Sequence, residues 1–108
     1  MVWDTQALVH QAKNNLVQTP LKQALYAIQK SSRLHGNKFP YGVKYTQARV
    51  GAKVTGKWDV QSGKAHDKTV KALKTLWKKA GLFRGTVNTV WDKDMDAALR
   101  AFLKEYGA

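Results

Sequence analysis

The chain of 108 residues contains no cysteine, two prolines and only seven acidic residues. The absence of cysteine excludes a disulfide scaffold, thiolate metal centres and a cysteine nucleophile. Because the chain has 19 lysines and arginines but only seven acidic residues, the net charge is +12 and the isoelectric point is near 10.1. Such an excess of positive charge predicts an anionic partner.

Long apolar runs are also absent. The N-terminal sequence MVWDTQALVH has neither a basic segment nor the apolar core of a signal peptide, and no run of about 18 apolar residues occurs anywhere. We therefore expect no signal peptide, no membrane insertion and synthesis in the cytoplasm. Association with a virion and release at cell lysis both stay open.

The spacing of apolar residues predicts an all-α fold, a small bundle of about four helices in a single domain. Thr19-Pro20 and Asp92 are typical of helix starts, and Gly36 and Gly81 of helix ends. The predicted helices cover residues 4–17, 20 to about 34, 67 or 68 to 80, and 93–106. An N-terminal helical arm (1–18) then precedes a core (19–107) with a long irregular loop (37–66).

The second half of the chain contains an internal repeat. Residues 54–59 (VTGKWD) match residues 87–92 (VNTVWD) at an offset of 33, and residues 72–81 (ALKTLWKKAG) match residues 98–107 (ALRAFLKEYG) at an offset of 26. Each copy is a short loop followed by a helix, and neither copy can bury its apolar face alone. We expect Trp58 and Trp91, which occupy equivalent places, to lie in the core.

This repeated unit resembles the small helical peptidoglycan-binding domain that accompanies many cell-wall hydrolases. The resemblance is strongest over residues 54–107, where a helix ending in Ala80-Gly81 is followed by the loop VNTVWD and the helix segment AALRAFL (97–103). It implies a non-catalytic module that binds bacterial cell wall, either peptidoglycan or an associated anionic polymer. A phage origin would suit a copy of this size.

Lysines recur at helical spacing in the predicted third helix. The stripe contains Lys64, Lys68, Lys71, Lys74 and Lys78, and only Asp67 interrupts the positive charge. Like charges three or four residues apart on a helix repel one another, so a polyanion site is one explanation for their accumulation. A solvated helix face that keeps a small domain soluble is the other.

A second candidate surface lies in the predicted loop. Basic and aromatic residues alternate there, as in sites where rings stack on sugars or bases while cations hold phosphate or carboxylate. The candidate ligand-binding residues are Tyr41, Lys44, Tyr45 and Arg49. The alternative is that the aromatic rings pack the loop onto the helices.

Motifs for catalysis, metals or cofactors are lacking. The three histidines have no ligand spacing, and neither a nucleophile elbow nor a phosphate-binding glycine loop occurs. We therefore expect no enzyme, no metal and no cofactor. The favoured function is a cell-wall binding module. The alternatives are a basic nucleic-acid-binding protein and an inhibitor or adaptor that docks on an acidic host protein.

Overall fold

Five α-helices form the part of the chain that the structure describes. The computed structural model describes residues 1–107, and these contain no β-strand. The predicted all-α class is confirmed, with five helices in place of about four. They are α1 (Val2–Leu8), α2 (Thr19–Lys30), α3 (Val43–Val50), α4 (Val60–Lys79) and α5 (Lys93–Tyr106), with a 3-10 turn at Arg33–His35 after α2.

The first helix is shorter than the predicted span of residues 4–17. α1 ends at Leu8 because His10 adopts a left-handed conformation (φ +55°), and the amide of Gln11 bonds back to the carbonyl of Gln6. The helical spacing beyond this point was misleading, since those residues belong to the following loop. α1 packs on α4, where the Trp77 indole donates to the Thr5 hydroxyl at 3.1 Å.

The prediction of an irregular loop over residues 37–66 is wrong. The segment contains α3 and the first seven residues of α4. Gly42 (φ +91°) and Gly51 (φ +75°) flank α3, so the glycines that indicated a loop are the two ends of a short helix. Gly63 lies inside α4, which starts earlier than predicted.

Other predicted boundaries are correct or nearly so. α5 has the predicted bounds, and Asp92 is its N-cap, because its Oδ1 accepts the amide N–H of Met95 at 2.9 Å. Gly81 (φ +78°) follows the end of α4. α2 begins one residue before the predicted start, with Gln18 as N-cap, and stops at Lys30 because the 3-10 turn follows.

The internal repeat is visible in the helix caps. Asp59 precedes α4 with backbone angles of φ −110° and ψ −174°, and Asp92 precedes α5 with φ −106° and ψ −174°. The Asp59 carboxylate accepts the backbone N–H of Ser62 at 2.9 Å, the same i to i+3 bond that Asp92 makes. Two equivalent loops therefore start two helices in the same way.

A further copy of the loop lies near the N-terminus. Residues 2–9 (VWDTQALV) and 43–50 (VKYTQARV) are identical at five of eight positions. The Gln6 amide nitrogen donates to the Asn14 side chain at 2.8 Å and to the Leu16 carbonyl at 3.1 Å. Its oxygen accepts the N–H of Asn15 at 2.9 Å. The side chain of Gln6 thus fixes the loop that leads into α2.

Gln47, the equivalent residue of α3, fixes the loop before α4 in the same way. Its amide nitrogen donates to the Thr55 hydroxyl at 3.2 Å and to the Lys57 carbonyl at 2.8 Å. Its oxygen accepts the N–H groups of Thr55 and Gly56, both at 3.0 Å. The sequence separations equal those around Gln6. Gly56 (φ +85°) and Asn15 (φ +61°) also share the left-handed conformation at equivalent positions.

In the loop before α5 a lysine takes the place of the glutamine. Lys74 of α4 donates from its ammonium to the Asn88 side chain at 2.7 Å and to the Asp92 carboxylate at 2.9 Å. The ammonium lies 5.0 Å from the centre of the Phe83 ring. This loop is the longer one, since residues 80–91 separate the end of α4 from Asp92, whereas residues 51–58 separate the end of α3 from Asp59.

Aromatic residues fill the interior between α4 and α5. Trp77 stacks on Phe102 with 5.1 Å between ring centres, and Trp91 is 2% exposed. Trp58 is half-buried between Phe39 and the buried His66. The core position predicted for Trp91 is confirmed, whereas Trp58 lies at the edge of the core.

Candidate functional site

A cleft of about 760 Å³ opens where α1, the end of α3 and the first half of α4 meet. Lys53, Lys64 and Lys68 line it together with His10, and all four residues are exposed. Alanines and the buried Val50 supply apolar lining. Within residues 1–107, no acidic side chain lines this cavity. We call it the basic cleft.

The wall formed by α1 and α3 depends on a close contact. The His10 ring lies against Gly51, and a Cβ atom at residue 51 would come within 2.6 Å of the His10 Nε2. Both residues have positive φ angles and occupy equivalent positions after their helices. Glycine is therefore favoured at position 51 by its conformation, and a larger residue there would also push the exposed His10 ring aside.

The lysines of the cleft come from two elements. Lys64 and Lys68 are one turn apart on α4, and Lys53 follows α3. Lys71 is exposed one turn further along the same face of α4. In the part of the chain that the structure describes, Lys74 is the only lysine or arginine within 4.0 Å of a carboxylate. The positive charge of the cleft is thus not neutralised by ion pairs.

The predicted lysine stripe is interrupted at Lys74. Its side chain is fully buried, because position 74 lies next to Leu73 and Trp77 on the side of α4 that faces the core. Lys74 is therefore unavailable to a ligand, which corrects its prediction as a binding residue. Lys78 is exposed, but its ammonium donates to the Gly85 carbonyl at 2.9 Å.

The candidate residues of the predicted loop do not form one groove with the lysines of α4. Tyr45 is half-buried, and the guanidinium of Arg49 lies 5.3 Å from its ring centre. Arg49 also donates to the side chain of Gln11. Lys44 is exposed, with its aliphatic part against Gly56. None of these four residues lines the basic cleft, and Tyr41 lines a separate cavity of the described chain.

This separate cavity, the aromatic cleft, has a volume of about 720 Å³. It lies between the end of α2 and the segment that precedes α3. Three aromatic side chains line it, accompanied by two lysines and by polar groups of α2 and the 3-10 turn. These residues are Tyr26, Phe39 and Tyr41, Lys30 and Lys38, and Gln29 and His35.

One carboxylate oxygen organises the polar side of the aromatic cleft. Asp96 Oδ1 accepts hydrogen bonds from Gln29 Nε2 at 2.9 Å, His35 Nε2 at 2.8 Å and Trp91 Nε1 at 2.7 Å. Burial favours the neutral acid, but these three bonds outweigh it and lower the pKa of Asp96. Asp96 thus stays ionised and holds the Gln29 and His35 side chains in fixed orientations.

Sequence reasoning did not associate His10 with the lysines. The usable signal was the match between residues 2–9 and 43–50, which makes the two helix ends equivalent.

Within residues 1–107, no group of three or more His, Asp or Glu side chains is placed to hold a metal ion. None of the helices described is both long enough and apolar enough to cross a membrane.

The chain matches no protein-family model, no curated protein and no solved structure.

Proposed function

We propose that this protein is a non-catalytic binding module for bacterial cell wall, and that it holds an anionic polymer in the basic cleft. The observation that carries the proposal is the grouping of Lys53, Lys64, Lys68 and His10 around one cavity that no acidic residue of the described chain lines. Such a cavity concentrates anions, because its positive charges act together next to an apolar wall. Lys71 extends the positive surface along α4.

Two features favour a wall polymer over nucleic acid as the ligand of this cleft. The first is the resemblance of residues 54–107 to the peptidoglycan-binding family. The second is that no phenylalanine, tyrosine or tryptophan of the described chain lines the basic cleft, whereas proteins that bind single-stranded nucleic acid stack bases on such rings. Phosphates of a wall polymer or carboxylates of peptidoglycan stems need only cations.

The test measures sedimentation of the protein with purified insoluble peptidoglycan, beside a gel shift with duplex DNA. The variant carries Lys64→Glu and Lys68→Glu. The matched control carries Lys93→Glu and Lys104→Glu, which make the same change in net charge on exposed residues of α5. We expect the cleft variant to bind the wall about ten-fold more weakly and the control to bind nearly as well as the original protein.

Three results would contradict the proposal. Equal losses in both variants would mean that net charge, and not the cleft, determines binding. Binding to DNA without binding to the wall, weakening steeply as salt increases, would favour the nucleic-acid alternative. If the protein binds neither peptidoglycan nor DNA, docking on an acidic protein becomes the better explanation of its positive charge.

A further inference from the structure

We infer that the aromatic cleft is a second binding site, and that it takes a nucleoside monophosphate. This inference does not depend on the function proposed for the basic cleft, which lies elsewhere on the surface and shares no lining residue with it. The volume of about 720 Å³ is within the usual range of small-molecule sites.

The aromatic side chains offer surfaces for a flat ring. Tyr41 is 41% exposed and packs edge-on with Tyr45, with 5.8 Å between the ring centres. Phe39 packs at a tilt against Trp58, with 4.9 Å between the ring centres. Because Tyr45 and Trp58 do not line the cleft, they hold the two lining rings in place without occupying the space in which a nucleobase would stack.

Two lysines stand together beside these rings. The backbone N–H of Lys38 donates to the carbonyl of Lys30 at 2.7 Å, which keeps the two residues adjacent although they come from different segments. Both line the cleft. Neither forms an ion pair with a carboxylate in the described part of the chain. Two lysines that line the same cleft can supply the positive charge that a phosphate needs.

The polar side of the cleft suits the edge of a base. Gln29 and His35 each give one nitrogen to Asp96, so the Gln29 oxygen and the His35 Nδ1 are the atoms left for a ligand. The Gln29 amide and the His35 imidazole are planar and form hydrogen bonds in their own plane, as recognition of the edge of a base requires. The shared Asp96 oxygen fixes both side chains before a ligand arrives.

The experiment is an NMR titration of the whole protein, labelled with nitrogen-15, using adenosine monophosphate. Ribose 5-phosphate, inorganic phosphate and glucuronate are titrated in parallel. We expect saturable shifts at Tyr41, Lys38 and Gln29, with ribose 5-phosphate binding about ten-fold more weakly because it lacks the stacking base. Inorganic phosphate should bind more weakly still.

Variants locate the site. Tyr41→Ala should weaken nucleotide binding about ten-fold, whereas Tyr41→Phe keeps the ring and should bind normally. Neutralising the phosphate contacts with Lys30→Gln and Lys38→Gln should weaken it several-fold. The Lys64→Glu, Lys68→Glu variant should bind the nucleotide as before, which separates this site from the basic cleft. Unfolding curves of each variant verify that it is folded.

Several outcomes would overturn the inference. Shifts that map to Lys53 and Lys64 would place the nucleotide in the basic cleft as a general anion. Equal binding of ribose 5-phosphate would remove the role of the rings. Tighter binding of glucuronate than of the nucleotide would assign the cleft to acidic sugars. Absence of saturation by any of the four compounds would reject a small-anion site altogether.

Discussion

The loop before α4 and the loop before α5 are each held in place by a buried side chain, but the two side chains differ in chemistry. Each leads into a helix capped by an aspartate, and each is fixed by one buried side chain from the preceding helix. Before α4 that side chain is the neutral Gln47, and before α5 it is the charged Lys74. A neutral amide and an ammonium are equally able to fill such a position, but their energetic consequences differ.

Gln47 combines donor and acceptor and loses little on burial, because its amide is bonded on both sides. Lys74 can only donate, and its charge must be removed from water before Asp92 compensates it. The Asp92 side chain is 35% exposed, so water already weakens the attraction within this ion pair. The glutamine should therefore contribute more to stability than the lysine.

The largest effect is expected for Gln47→Met. Methionine fills a similar volume but leaves the loop groups that Gln47 contacts without their shared partner. We expect a loss of about 3 kcal/mol in the free energy of unfolding, since several hydrogen bonds disappear together. Urea denaturation followed by tryptophan fluorescence measures it. A loss below about 1 kcal/mol would mean that the loop keeps its shape without the glutamine.

A smaller loss is expected for Lys74→Met, about 1 kcal/mol. Removing the ammonium leaves Asp92 partly exposed to water and still bonded to the Met95 amide, and it also removes the cost of burying a charge. Urea is again the denaturant, because it does not screen charges. If Lys74→Met is costlier than Gln47→Met, the charged solution is the stronger one and our ranking is wrong.

The smallest effect is the change of stability with pH, which arises at a different pH on each of the two helices that follow the loops. On α4, burial lowers the pKa of His66, whose Nε2 donates to the Ile28 carbonyl at 2.9 Å. The unfolded chain then binds a proton more readily than the folded one, so the stability from His66 is complete above pH ~6.5 and declines as the pH falls below it.

On α5 the lowered pKa of Asp96 also makes the protein less stable as the pH falls, but in a more acidic range. Its stabilising effect is present above the unfolded pKa of about 3.9 and is lost as the pH falls further. Unfolding midpoints measured from pH 7 to pH 3 should therefore fall in two stages. His66→Gln, which keeps a donor that does not titrate, should flatten the first stage only. An unchanged first stage in this variant would assign it to another group.

Part of the fold could be predicted from local sequence. α5 and its Asp92 cap were predictable because a capping residue, a regular apolar stripe and a terminal glycine coincide there. α3 was not, because it has only eight residues and the glycines at its ends resemble loop markers. The repetition of Thr-Gln-Ala at residues 5–7 and 46–48 was the overlooked indication that α1 and α3 are equivalent.

The candidate sites were less predictable than the helices. Lys64 and Lys68 were identified correctly as exposed members of a stripe, but the same spacing rule also included the buried Lys74. The spacing of residues along a helix predicts which side of the helix a side chain occupies. It does not predict which side of the helix another element covers. Tyr41 and the lysines of α4 also line different cavities, which no local pattern revealed.

The sequence by itself determined the all-α class, the repeated loop and helix, and the strong positive charge, because these follow from periodicity, capping chemistry and composition. Tertiary structure decided which lysines meet solvent, which side chain holds each loop, and that the basic and aromatic residues form two clefts. The physical reason is that burial and charge pairing depend on contacts between residues far apart in the chain. His10 lies in one cleft with Lys64, and Asp96 bonds to His35, only because the helices pack together.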